Sequence, residues 1–467
     1  MGSAIPPRLV SQRASAISRW ILGRNIGVAN LGKLNLSYLR TIHYRVFVSE
    51  LKKDFSDNSS SRIAVIGGGA AGFFAAISTV EVARSAEVVL FESGNKVLRK
   101  VKVSGGGRCN VTHSCFEPAE LAKKYPRGSR ELRSAFHHWQ PRDTIEWFGQ
   151  AGVQTKREED GRMFPVSDNS QTIIDCLLRE ARKLGVQVHL ERGMTGIEKG
   201  EAGQWVIESG DGKKEAFDKV CIAAGSLKAG GLDRMMEDLG HRIEPLVPSL
   251  FALNVKDPRI AGLAGIAVKE AGVRILPKGK PQNGPLLITH RGMSGPAILK
   301  LSAWEARTFA EHDYDLEVEI NWLPGWNRER VVEKFGELRR TKGDSLVKSK
   351  VFDELPRRLW ESLLESVGVH PDDQWARLKK VFEDALLAEL IAGHYRVKGK
   401  TTNKEEFVTC GGVSLKEVDF RTMESKLQPG LYFAGECLDL DGITGGFNFQ
   451  AAWTTGRIAG RSMAGVG

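Results

Sequence analysis

Gly67, Gly69 and Gly72 follow the apolar run Ile63-Ala64-Val65-Ile66 at G-x-G-x-x-G spacing. Glycine at these three positions permits a tight strand-to-helix turn, lets bare backbone approach a pyrophosphate, and lets the next helix pack closely on the strand. A phosphate resting there meets the unpaired N–H groups and the positive end of a helix that starts at Ala70 and Ala71. Twenty residues beyond Gly72, the run Val88-Val89-Leu90-Phe91 ends in Glu92, placed as the acid that bonds ribose hydroxyls in such a site. The chemistry these spacings point to is the binding of a dinucleotide.

Two later segments return to the same theme. Asp218-Lys219-Val220-Cys221-Ile222-Ala223-Ala224-Gly225 is a short apolar run ending in small residues, as a buried parallel strand does where it passes a ligand. Gly430-Leu431-Tyr432-Phe433-Ala434-Gly435-Glu436 is a further strand ending in Gly and an acid, with Gly442-Ile443-Thr444-Gly445-Gly446 and an apolar helix after it. The elements that position the glycine turn are therefore drawn from both ends of the chain. Between them, short β-rich runs at 250–255, 267–276 and 316–320 predict a small antiparallel barrel or sandwich. Asn327 predicts an N-cap, and Val331, Phe335 and Leu338 fall on one helical face. The expected partition is a nucleotide-binding part over 62–245, a β domain over 246–326, a helical insert over 327–391, a return strand over 392–408, and the second nucleotide-binding part over 409–467.

Residues 1–49 contain six Arg, one Lys, six Ser and no acid, the composition of an organelle-targeting peptide, with 50–61 as a linker. Arg45-Val46-Phe47 resembles a mitochondrial cleavage site, so the mitochondrial matrix is the expected destination and the chloroplast stroma the alternative. Of 67 basic residues seven lie in this segment, leaving 60 against 57 acidic ones, a net +3. The pI near 9.2 thus says little about a nucleic-acid partner. The uncharged stretch 63–80 reads as strand, turn and buried helix, and no membrane span is expected. Six cysteines with no C-x-x-C pair and ten histidines without ligand spacing predict reduced thiols and no metal site.

Ser104-Gly105-Gly106-Gly107-Arg108-Cys109-Asn110, Thr289-His290-Arg291-Gly292-Met293-Ser294-Gly295-Pro296, Gly411-Gly412-Val413, and Gly435-Glu436 through Thr444-Gly445-Gly446-Phe447-Asn448 occur in that order. Together they resemble the BaiN/YhiN family of FAD-dependent proteins over residues 62 to about 464. The resemblance implies an α/β fold: a Rossmann-like FAD-binding domain of the two-dinucleotide-binding type, interrupted by a β-barrel domain with a helical insert. It implies FAD held by Gly67, Gly69, Ala70, Ala71, Gly72, Glu92, Lys100, Ser104, Gly105, Gly106, Gly107, Arg108, Asn110, Ala224, Gly225, Gly435, Glu436, Thr444, Gly445, Gly446, Phe447 and Asn448. Leu98 departs from the pattern, where relatives usually carry Gly before the basic pair Arg99-Lys100.

Arg108 offers up to five donors to a phosphate or an anionic reduced flavin. Cys109 and then His290 are the candidate proton donors, although Cys109 as a packing residue and His290 as a structural histidine are the plainer readings. No second G-x-G-x-x-G follows a strand, so NAD(P)H is expected to bind transiently. The resemblance implies hydride transfer to an activated C=C bond, in a uridine of organellar large-subunit ribosomal RNA or in a steroid-like enone. A FAD-bound assembly factor without turnover is the non-enzymatic alternative. The substrate cleft is expected where the 104–110 and 289–295 loops meet.

Overall fold

A computed structural model describes residues 61–466 apart from 202, 229, 350 and 402–407. The expected import segment, residues 1–49, lies outside the described residues. Strand order in the main sheet is Val418–Asp419, Glu424–Ser425, Leu431–Phe433, Lys219–Ile222, Arg62–Ile66, Glu87–Phe91, Gln187–His189. The last five strands are parallel to one another, and Leu431–Phe433 pairs antiparallel with Glu424–Ser425 on its other edge. Ile63, Ala64 and Val65 have no exposed surface, which follows from a central strand paired on both edges and covered on both faces.

The stretch 63–80 resolves into this strand, the glycine turn and the helix Ala70–Val82. That helix is buried along most of its length because the last helix, Phe447–Met463, lies against it. Glycine makes the approach possible. A Cβ at Gly456 would stand 2.6 Å from the Ala71 carbonyl oxygen, and one at Gly460 would stand 2.3 Å from that of Ala75. Among the described residues no helix is long and apolar enough to cross a membrane.

The inserted region contains a closed antiparallel barrel in the order Ala252–Val255, Gly292–Ser294, Gln282–Thr289, Ala267–Ile275, Asp315–Asn321, Gly393–Thr401. One boundary differs from the sequence expectation. Ile243–Ser249 is not a barrel strand but pairs antiparallel with Val408–Val413, so the chain enters and leaves the insert along a two-stranded stem. Asn327 caps the helix Arg328–Thr341 by accepting from the Arg330 N–H at 2.9 Å, and Val331, Phe335 and Leu338 are its buried face. Those side chains share one core with barrel residues such as Val273, Val318 and Tyr395. The helices therefore finish the barrel's core instead of forming a core of their own.

Candidate active site

The glycine turn shows three different local reasons for glycine. Gly67 has φ +114°, and a Cβ there would lie 2.4 Å from the Ala223 carbonyl oxygen at the end of the neighbouring strand. At Gly72 a Cβ would lie 1.9 Å from the Gly67 carbonyl oxygen, so this position serves helix-on-strand packing. Gly69 is the opposite case, since no protein atom would come within 4 Å of its Cβ. The space there is open, no side chain caps the helix N-terminus, and its first turn has no acid. Those features fit a pyrophosphate resting on the Ala70 and Ala71 end of the helix.

Around this turn the structure gathers several of the sequence-named residues. Glu92 accepts from the Gly68 N–H at 2.9 Å and the Gly94 N–H at 2.7 Å, which fixes the tip of the second strand beside the turn. Lys100 pairs with Glu436 at 2.6 Å, and the other Glu436 oxygen accepts from the Thr409 N–H at 3.0 Å. Gly225, at φ +73°, faces the Glu436 carboxylate, and Gly435 packs on Ala71. Ala224 lies against Gly67. The turn, the end of the middle strand and the late Gly-Glu thus form one cradle.

A second group forms at the start of the last helix. Gly446, at φ +90°, is its N-cap, with no side-chain cap and no acid in the first turn. A Cβ on Gly446 would strike the Thr112 carbonyl oxygen at 2.6 Å, and one on Gly445 would strike the Phe447 ring at 2.8 Å. Thr444 precedes this pair. Asn110 and Asn448 hold the surrounding backbone. In the orientation that satisfies both ends of its amide, Asn110 donates to the Thr112 carbonyl at 2.9 Å and accepts from the Gly446 N–H at 3.0 Å. Asn448 accepts from the Gly442 N–H at 2.8 Å and donates to its carbonyl at 2.9 Å. Phe447 is buried, stacked on His113 at 4.7 Å. These three side chains thus hold the turn in shape through protein partners.

The segment 104–110 kinks out of its helix at Ser104, with Gly105 and Gly106 both left-handed. Ser104 donates to the Val101 carbonyl at 3.0 Å. Gly106 and Gly107 face open space, whereas a Cβ on Gly105 would meet Phe164 at 2.9 Å. Arg108 is paired with Glu158 at 2.6 Å, lies 3.6 Å from Asp168, and stacks over Phe164 at 4.0 Å. The same acids also pair with Arg162 and Lys156, so Arg108 belongs to a mixed-charge cluster beside the bend. The expected proton-donor role of Cys109 is corrected: the residue has no exposed surface against protein atoms alone, and burial pushes its thiol up to about 12. A thiol so enclosed packs the core and reaches no substrate. His290 is exposed at the tip of a barrel hairpin, with no hydrogen bond among the described residues.

No hydrogen bond or ion pair joins the 104–110 and 289–295 loops among the described residues. A separate cleft opens at the junction of nucleotide fold and barrel. It measures about 320 Å³ and is lined by Lys123, Lys124 and Ile443 on one side and Lys280, Gln282, Asn283, Lys300, Trp304 and Glu305 on the other. Ile443 donates its N–H to the Lys124 carbonyl at 2.9 Å, so the cleft opens one residue before the Thr444-Gly445-Gly446 turn. Sequence reasoning missed this site, and it also missed His113. The His113 ring lies between Phe447 and the Asp160 carbonyl, with Nδ1 buried and unpartnered, and burial lowers its pKa. The available signal was its place three residues after the Ser-Gly-Gly-Gly-Arg-Cys-Asn motif.

Below the cleft, the two halves are clamped. Arg127 forms a bidentate pair with Asp441 and donates to the Ala303 carbonyl at 2.6 Å, while Ser249 donates to Asp441 at 2.7 Å. Asp441 has no exposed surface, and burial holds its carboxyl above the usual range against the pull of Arg127.

The family model described as HI0933-like protein Rossmann domain matches residues 61–462. The chain belongs to this family. It is the BaiN/YhiN family of FAD-dependent oxidoreductases that the four motifs resemble, and the open Gly69 turn fits such a cofactor. One relative is the ribosomal RNA dihydrouridine synthase of Escherichia coli (strain K12), 32% identical over 401 residues, 84% of this chain and 95% of that protein. A Haemophilus influenzae protein of the same name is 29% identical, covering 86% of this chain and 98% of its own. The 3-dehydro-bile acid delta(4,6)-reductase of Clostridium scindens is 28% identical, covering 86% and 99%.

Proposed function

We propose that this member of the family reduces the C5=C6 bond of a uridine in organellar large-subunit ribosomal RNA, with NAD(P)H as the electron donor. FAD, when bound, supplies the hydride chemistry. The balance is one hydride from NAD(P)H delivered to C6 and one proton from solvent delivered to C5, giving dihydrouridine and NAD(P)+. Hydride arrival at C6 leaves negative charge conjugated with the C4 carbonyl. Lys123, Lys124, Lys280 and Lys300 surround the cleft in which that charge would develop, and cationic groups fixed in place before reaction lower its energy.

The observation that carries this reading is the 32% match over nearly the whole length of a relative named for ribosomal RNA dihydrouridine synthesis. The bile-acid relative raises a steroid-like enone as an alternative, but a lysine-lined cleft is ill suited to a largely apolar steroid. The acid-free residues 1–49 support delivery to the mitochondrial matrix, with the chloroplast stroma as the alternative. Mass mapping of uridines in organellar large-subunit RNA, with and without this protein, tests the proposal. One uridine is expected to lose two hydrogens' mass when the protein is removed. An unchanged RNA would overturn the reading and favour an assembly factor without turnover.

A further inference from the structure

The junction cleft gathers four lysines from separate parts of the chain. Lys123 and Lys124 end a short helix of the nucleotide fold, Lys280 precedes a barrel strand, and Lys300 sits on the helix Pro296–Trp304. Among the described residues Lys124 and Lys280 have no acidic partner, while Lys123 pairs with Glu120 at 2.7 Å and Lys300 donates to the Asn283 carbonyl at 2.9 Å. Glu305 is the one acid in the lining, and its carboxylate accepts from the Thr308 hydroxyl at 3.0 Å. Burial lowers the Lys300 pKa and the Lys124 charge adds to that effect, with Glu270 opposing. Cations that crowd one opening in this way raise its potential and favour an anionic occupant.

Trp304 lies four residues after Lys300, so the two side chains share one face of their helix. Its residue surface is 40% exposed, unusual for the largest apolar side chain. An open indole beside phosphate-binding cations is the pairing that holds single strands: bases stack on the ring while the backbone tracks the charges. A duplex offers no free base face to such a ring. The lysines come from three separate segments of the chain. That arrangement suits repeating backbone phosphates more than the compact pyrophosphate of a dinucleotide.

We propose that this cleft docks single-stranded RNA, with an unpaired base stacked on Trp304 and the flanking phosphates on Lys123, Lys124, Lys280 and Lys300. The inference rests on the RNA-reduction reading above and adds to it the surface that receives the substrate. Binding of a fluorescein-labelled oligouridine to the flavin-loaded protein, followed by anisotropy across a salt series, tests it. The double variant Lys124→Glu, Lys280→Glu is expected to bind about 100-fold more weakly, with the salt slope shallower by about 0.7 for each phosphate no longer neutralised. Trp304→Ala is expected to bind about tenfold more weakly with the slope unchanged. Lys213→Glu, in a hairpin of the nucleotide fold, is expected to bind as the native protein does. Flavin absorbance confirms that each variant is folded.

If the native protein binds and reduces RNA while the double variant binds it equally well, the cleft assignment falls and the RNA reading stands. If the native protein neither binds RNA nor reduces uridine, the RNA reading falls as well. If the variants keep RNA but lose flavin reduction by NADPH, the cleft is the nicotinamide site and the proposal is overturned.

Discussion

The glycine cradle and the lysine cleft meet phosphates by opposite means. At the cradle, side chains are missing where the ligand passes: Gly69 leaves open space, and the helix it begins has no capping side chain. At the cleft, side chains from three segments converge on an opening that the backbone does not shape tightly. A backbone site is all-or-none, because one added Cβ takes the ligand's place. A side-chain site is graded, because each charge contributes separately and salt competes with all of them.

The largest expected effect tests the cradle half of that contrast. Gly69→Val puts two methyl groups where the pyrophosphate passes, yet no protein atom lies within 4 Å of the added Cβ. The protein should fold and lose FAD affinity by about two orders of magnitude, roughly 3 kcal/mol. Gly72→Val, whose Cβ would overlap the Gly67 carbonyl, should instead yield no soluble flavoprotein. FAD content of the purified variants reads both, and full occupancy in Gly69→Val would remove the cradle assignment.

The next effect concerns the clamp that joins the regions. Arg127→Ala leaves the Asp441 carboxyl buried without its partner and should cost about 3–5 kcal/mol in chemical denaturation. A loss below about 1 kcal/mol would show that water replaces the guanidinium and that the two regions are coupled only loosely.

The smallest effect is in pH. Burial lowers the pKa of His113, and of His241 despite its Glu417 partner, so folding favours both neutral rings. As pH falls through about 6.5 the unfolded chain takes up protons first, and stability declines until the folded rings protonate too. The Tm should therefore drop by about 1–3 °C over that window, beyond any change in a His113→Gln, His241→Gln variant. Identical profiles for the two proteins would show that neither ring contributes.

What was legible in the chain followed contiguity. Gly67, Gly69, Gly72 and Glu92 carry their meaning in spacing along one strand-turn-helix-strand unit, and Asn327 announces its cap in the same local way. Cys109 misled because a motif marks a conformation as readily as a reaction: it sits at φ +62° in a glycine-rich bend, with its side chain turned into the core. The partners of Arg108 were not legible because Glu158 and Asp168 lie fifty and sixty residues later. The basic cleft was hidden for the converse reason. A net charge near +3 over residues 50–467 carries no trace of four lysines that only tertiary folding brings together. The pairing of Ile243–Ser249 outside the barrel was not legible, because a run of residues reports a strand and is silent about its partner.

The cradle is closed by residues far along the chain from its first turn. Gly435, Glu436 and the helix Phe447–Met463 complete a site whose first turn is at Gly67, and Gly456 and Gly460 seat that helix directly on Ala71 and Ala75. A ribosome-bound chain still lacking these residues has the turn without its lid. Lasting capture of flavin therefore requires that synthesis has passed Met463, so FAD content separates chains that carry this helix from chains cut before it.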